Sequence, residues 1–197
     1  MPLKQNKRNQ SKKILSNLNL QDLSFFISEK IIQWESFLNA QNILFYWAMK
    51  DEISLYTVIE QALYLKKNCF LPIIKDNELY ISKLNNLDEV LKKNILGFYE
   101  IENNFPNDYN KISEILDLIF VPALCFDKKG NRLGRGKGFY DKFFVNISRQ
   151  NIITTGIIPD ILLFSDLDFI DPWDQKVDYI ITEKKLMGSL YQKVIIS

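Results

Sequence analysis

The sequence predicts an α/β fold with a central, mostly parallel sheet and helices on both faces. Three observations carry that expectation. Residues 43–48 form a short apolar and aromatic run, Val58, Ile59, Ala62, Leu63 and Leu65 follow at helical spacing, and residues 69–74 are apolar again; strand, helix, strand in this order is the crossover unit of a parallel sheet. Further strand-like runs recur at residues 115–121, 152–158 and 177–182. The chain has 197 residues, 47% hydrophobic and 25% charged, which suits one ordinary core and a single domain over residues 1–197.

In chain order, Ile14, Leu15 and Leu18 in a basic segment suggest a first helix, and residues 23–38 repeat apolar side chains at helical spacing as a second. The strand at 43–48 runs into Lys50, Asp51 and Glu52. The helix after it is expected to close at Asn68, before the strand at 69–74. Residues 79–82 read as a short strand and 85–110 as irregular. The strand at 115–121 is stopped by Pro122, and a turn is expected at Lys129, Gly130 and Asn131. Phe139, Tyr140 and Asp141 open a helix, and a last strand is expected at 194–196. Ligands of open α/β sheets gather beyond the carboxyl ends of strands, which is where Glu52 and the glycines near residue 136 fall.

Net charge is only +1, so no global field favours nucleic acid or membrane. Charge is sorted nevertheless: residues 1–13 carry Lys4, Lys7, Arg8, Lys12 and Lys13 without an acid, while residues 160–183 carry six aspartates and Glu183 against Lys176. A site joining a polyanion to a cation has use for both. The chain contains no histidine, which removes Ser-His-Asp and Cys-His catalysis and histidine metal sites. Cys69 and Cys125 lie in apolar segments and read as reduced core residues, with a disulfide as the minor alternative. No secretory signal, transit peptide or membrane span is expected, which points to the cytoplasm.

The most informative stretch has glycine at 134, 136 and 138, with Arg135 and Lys137 between them and Arg132 just before. Glycines let backbone N–H groups converge on an anion, the helix N-terminus adds partial positive charge, and the basic side chains add full charges. The spacing is neither a Walker A loop nor a dinucleotide fingerprint. It is a phosphate-binding loop of another kind, or, read in isolation, a flexible surface turn.

Residues 120–141, FVPALCFDKKGNRLGRGKGFYD, resemble the signature of the 5-formyltetrahydrofolate cyclo-ligase (5,10-methenyltetrahydrofolate synthetase) family, roughly V-P-x-L-x-F-D-x-x-G-x-R-L-G-x-G-x-G-[YF]-Y-D. The resemblance continues in Lys4 and Arg8, in the aromatic strand followed by Asp51, Glu52, Ile53 and Ser54, in Lys67 with Leu71 and Pro72, in Gly97 and Glu100, and in residues 177–183. Departures are Ile101 where proline is usual, Trp173 before Asp174 where histidine is usual, Phe139 for a frequent tyrosine and Lys142 for a frequent arginine.

The resemblance implies a Rossmann-like three-layer fold of the CoA-transferase-like kind. It also implies an ATP- and Mg2+-dependent cyclisation of 5-formyltetrahydrofolate to 5,10-methenyltetrahydrofolate by a cytoplasmic monomer whose partners are small molecules. Lys4, Arg8, Arg132, Leu133, Gly134, Arg135, Gly136, Lys137, Gly138, Phe139 and Tyr140 would bind ATP, with Arg135 and Lys137 catalytic. Arg8, Trp47, Glu52, Arg135, Lys137 and Phe139 would bind the folate, with Phe98 and Tyr99 as further stacking candidates beside core packing. Asp141 and Asp174 would hold Mg2+. A different reading keeps the fold without the catalysis, as a nucleotide- or RNA-binding module: residues 120–150 carry seven basic residues against two acids, interleaved with Phe139, Tyr140, Phe143 and Phe144. A third keeps ATP but changes the substrate.

Overall fold

A computed structural model of the chain describes residues 2–89, 92–93, 99–100, 105–168, 171 and 173–188. Its centre is a seven-stranded sheet in the order β12-β11-β9-β6-β1-β2-β3. The strands are β1 (Asn42–Leu44), β2 (Asn68–Lys75), β3 (Glu78–Leu84), β6 (Leu118–Pro122), β9 (Ile153–Ile157), β11 (Tyr179–Ile181) and β12 (Leu186–Gly188). From β11 to β2 all neighbours are parallel, and antiparallel β3 and β12 close the two edges. A two-stranded ladder pairs β4 (Lys92–Lys93) with β5 (Tyr99–Glu100), and a small three-stranded sheet joins β7 (Cys125–Asp127), β8 (Arg132–Leu133) and β10 (Leu163–Phe164).

Alternation along the strands sorts the core into two layers. Leu44, Ile119 and Val121 face one cluster, where α5 (Tyr109–Ile115) brings Ile112 and α6 (Phe139–Asn146) brings Phe143 and Phe144. Ile43, Phe45, Leu118 and Phe120 face the other, covered by α2 (Leu20–Ile32), α3 (Glu35–Asn39) and α4 (Tyr56–Tyr64) through Ile27, Ile31, Phe37, Val58 and Ile59. Continuous apolar strands are the mark of a sheet buried on both faces, and the three-layer α/β expectation holds. The strongly polar α1 (Pro2–Leu15) buries Leu15 at its end, packs Ile14 against the same cluster and is otherwise held by polar contacts, among them Lys7 lying 3.5 Å from the centroid of the Phe164 ring.

Several boundaries differ from expectation. The helix expected over 23–38 is broken: it ends at Gln33, Trp34 turns extended (φ −75, ψ 129) with its ring edge-on to Tyr179, and α3 starts afresh. Asn68 opens β2 instead of closing α4. The closing residue is Lys66, left-handed at φ 58, and the amides of Lys66 and Lys67 reach back to Leu63 and Ala62 as in a Schellman cap. The short strand at 79–82 extends to Glu78–Leu84 because Asp76 and Asn77, both at positive φ, make a tight hairpin to β2. The stretch 85–110 is less irregular than its sequence suggests, since it contains a 3-10 turn at Leu87–Glu89, the β4/β5 ladder and the start of α5, whose N-cap Asp108 accepts from the Asn110 amide. The strand expected from 115 starts at Leu118, after that helix. β1 is shorter than expected, although the Phe45 amide still bonds to the Phe70 carbonyl. The expected strand at 194–196 lies outside the described residues.

Candidate active site

The chain enters the sheet at β1 and leaves to β2 on one side, while β6 pairs on the other. Strand order therefore reverses at β1 and opens a crevice beyond the carboxyl ends of β1 and β6. A cleft of about 1110 Å³ lies there, with Tyr46, Trp47, Pro122 and Ala123 among its lining.

One wall is the glycine loop. It is presented by the β7/β8 hairpin, whose turn is fixed by the fully buried Asp127 carboxylate. That group accepts from the amides of Lys129 (2.9 Å), Asn131 (3.0 Å) and Leu167 (3.1 Å) and from Asn131 Nδ2 (2.8 Å). Gly136 (φ 99) and Gly138 (φ 69) take left-handed backbone that L side chains rarely adopt, and Gly138 is the N-cap of α6. The start of α6 thus points its first amides at the cleft. Arg8 from α1 lies over the loop: its Nε donates to the Gly134 carbonyl at 3.0 Å, and a Cβ on Gly136 would sit 3.4 Å from its guanidinium carbon.

Ion pairs tie the walls together. Lys4 Nζ donates to Asp171 (2.6 Å) and Asp174 (2.8 Å), joining α1 to the acidic segment before β11. Burial works to lower the Lys4 pKa, but the hydrogen bonds and charges of the two aspartates outweigh it and hold it above its usual value. Arg132 Nη2 donates to Asp141 Oδ1 at 2.6 Å, and the Gln175 amide reaches the same oxygen at 3.3 Å. Arg135 turns back across the cleft, with Nε to Glu52 Oε1 at 2.9 Å and Nη2 and Nη1 to the two oxygens of Asp51 at 2.7 and 3.2 Å. Burial tends to raise the Asp51 pKa, but the Arg135 hydrogen bonds and charge win and hold it below the usual carboxylate value. Lys137 is exposed and forms no ion pair with a described residue. The Tyr140 hydroxyl is buried with no hydrogen-bond partner among the described residues; burial and the Glu52 charge both push its pKa up, so it stays a donor.

Of the residues expected to bind ATP, folate or Mg2+, the cleft is lined by Lys4, Arg8, Trp47, Glu52, the run from Arg132 through Tyr140, Asp141 and Asp174. Phe98, Gly97 and Ile101 lie outside the described residues, as do the side chains of Tyr99 and Glu100. Sequence reasoning gave no site role to Asp171, to the apolar wall of Pro72, Ile74 and Leu79, or to the exposed pair Leu3 and Trp173 at the rim. It also gave Asp51 no role. Asp171 had a signal in the acidic run around it; the apolar wall had one in its place at the end of β2.

A family model described as the 5-formyltetrahydrofolate cyclo-ligase family matches residues 2–183. The chain belongs to that family. Relatives carrying the name 5-formyltetrahydrofolate cyclo-ligase include a Haemophilus influenzae protein, 37% identical over 60% of this chain and 63% of that one, and a Mus musculus protein, 32% identical over 61% of each. The matched stretch is thus less than two thirds of either relative. Among solved structures, that of Aquifex aeolicus 5,10-methenyltetrahydrofolate synthetase aligns with TM-score 0.81 at 24% identity, covering 99% of this chain and 97% of the other. A 5,10-methenyltetrahydrofolate synthetase from Mycoplasma pneumoniae aligns with TM-score 0.70 at 20% identity, covering 91% of this chain and 98% of the other. At those identities the structures establish the shared cyclo-ligase family fold.

Proposed function

We propose that the chain catalyses the ATP- and Mg2+-dependent cyclisation of 5-formyltetrahydrofolate to 5,10-methenyltetrahydrofolate, releasing ADP and phosphate. The observation that carries this reading is that the glycine loop at the start of α6 and the Glu52 wall, joined by Arg135, face the same cleft in a member of this family. A formamide oxygen is a poor leaving group. Transfer of the γ-phosphoryl group of ATP to it forms an O–P bond, breaks the bond to ADP and leaves an electrophilic iminium-like carbon. N10 of the same folate attacks that carbon, loses its proton and expels phosphate. The protein's work is then to position and neutralise charge, which needs no histidine.

In this reading the backbone from Arg132 to Tyr140 wraps the triphosphate, with Lys4 and Arg8 neutralising it and the Tyr140 hydroxyl gaining a ligand acceptor. Lys137 and Arg135 stabilise charge on the transferring group. Glu52 accepts N–H bonds from the pterin, with Trp47 and Phe139 against the folate. Asp141 and Asp174 suit a hard cation: each has one oxygen engaged by a cation and an amide, while Asp141 Oδ2 and Asp174 Oδ1 accept no hydrogen bond from a described residue. Mg2+ in this reading is held by these two carboxylates and completed by phosphate oxygens and water. Bound there, the cation would neutralise phosphate charge.

In this reading the protein is a monomer acting on two small molecules. A cytoplasmic setting is part of the same reading; among the described residues no helix is long and apolar enough to cross a membrane. An RNA-binding role has less support. Arg132 and Arg135 are turned onto carboxylates, and Phe143 and Phe144 are buried instead of lying on the surface to stack on bases. Mixing the purified protein with 5-formyltetrahydrofolate, Mg2+ and ATP should produce the absorbance of the methenyl product; active substrates without product would reject the assignment.

A further inference from the structure

Arg135 and Glu52 are both assigned to ligands, yet here they hold each other. Three guanidinium nitrogens of Arg135 are committed: Nε to Glu52, and Nη1 and Nη2 in a two-pronged grip on Asp51. The second Glu52 oxygen accepts from the Met49 amide at 2.9 Å, so each Glu52 oxygen already has a partner and a ligand N–H that reaches Oε1 meets Arg135 Nε there. The side chains of Arg135, Asp51 and Glu52 are only 22%, 22% and 10% exposed, which leaves little water to replace a lost partner. Asp51 is not part of the cleft lining, so it acts on a ligand through Arg135 alone.

We propose that Asp51 is a positioning residue that couples the two substrate sites, holding Arg135 on the folate wall and away from the triphosphate until a folate binds. The inference rests on the folate and ATP reading above. A pterin presents amide and amino N–H groups to Glu52. They compete with Arg135 Nε for Oε1, and Arg135 is left with the Asp51 grip alone. A triphosphate, carrying more charge than one carboxylate, then draws the guanidinium over. Folate therefore tightens ATP binding, and by linkage ATP tightens folate binding by the same factor. Without the Asp51 carboxylate the hold is weak from the start.

The test is calorimetric titration of a non-hydrolysable ATP analogue, with Mg2+, into the parent and into Asp51→Asn, each with and without saturating 5-formyltetrahydrofolate. The parent should bind the analogue about tenfold more tightly with folate present, within the usual range of coupling between sites. Asp51→Asn alone should bind it more tightly than the parent, with a smaller further gain from folate, which still displaces the remaining Glu52 bond. Asp51→Glu, which keeps the charge, should retain part of the coupling. Loss of a merely structural residue would weaken binding, never tighten it. Circular dichroism checks folding, and Asp51→Ser serves if the amide variant does not fold. Equal analogue affinity in the parent with and without folate, or weaker binding in folded Asp51→Asn, overturns the proposal. If the parent binds the analogue but no folate, the substrate assignment falls, whereas tighter binding by Asp51→Asn still upholds the hold on Arg135.

Discussion

Two clusters in the cleft walls each share one cation between two carboxylates, and they are built for different work. Lys4 meets Asp171 and Asp174 with a single ammonium whose third hydrogen remains for another acceptor. Arg135 meets Asp51 and Glu52 with a planar fork that spends three donors in set directions. A point charge exchanges partners without reorienting; a fork must break several bonds together to turn. Asp174 of the lysine cluster also has an oxygen that accepts no hydrogen bond from a described residue, whereas Glu52 has both oxygens engaged. Under the proposed function the lysine wall would grip phosphate and cation, and the arginine wall would align the reacting groups.

The sharpest way to break that contrast is to remove each cation. Arg135→Gln should lower kcat/KM about a thousandfold, roughly 4 kcal/mol, the scale for losing a group that stabilises transition-state charge. Steady-state kinetics check it, and a drop confined to KM would count against alignment. Lys4→Met should weaken binding of an ATP analogue by about 30-fold, or roughly 2 kcal/mol, as for a lost charged hydrogen bond. Its kcat should stay nearly level, and a collapse of kcat matching Arg135→Gln would erase the distinction.

A smaller effect probes the oxygens to spare. Asp141→Asn and Asp174→Asn should each raise the Mg2+ concentration for half-maximal rate about tenfold with the fold intact, since an amide keeps the shape and loses the charge. Titration of the rate with Mg2+ decides, and no change in either variant rejects the metal placement. The smallest effects are in pH. Asp51 is held below its reference value of 3.8, so its contribution to stability is present above that value and disappears as pH falls through the lower folded one. Lys4 is held above 10.5, so its contribution is present below that value and disappears as pH rises through the higher folded one. Carboxyl NMR titration should place the Asp51 midpoint below 3.8, and Arg135→Gln should move it up.

Much of this was legible in the sequence because it is local. The glycine loop and the start of α6 announce themselves by spacing, and the β1, α4, β2 crossover by a switch from strand to helical periodicity. What stayed hidden depends on partners far along the chain. Trp34 breaks a helix because its ring finds Tyr179, and nothing near residue 34 records that. Asp51 gained a role only when folding brought Arg135, 84 residues on, to its carboxylate. β12, three residues without a distinctive pattern, is a strand because it pairs with the edge of β11. Ile74 and Leu79 pack with the core and also line the cleft, and a window of sequence shows only the first of these.

The bond from Lys4 to Asp171 spans 167 residues and that from Lys4 to Asp174 spans 170. During synthesis the first helix therefore leaves the ribosome long before its partners exist. It waits as an exposed basic strand of chain while the sheet assembles behind it, since so polar a segment buries little on its own. Docking it must be a late step, held back by the entropy of closing so long a loop. A nascent or truncated chain that stops before residue 171 can have the glycine loop and most of its sheet and still lack the two carboxylates that hold Lys4.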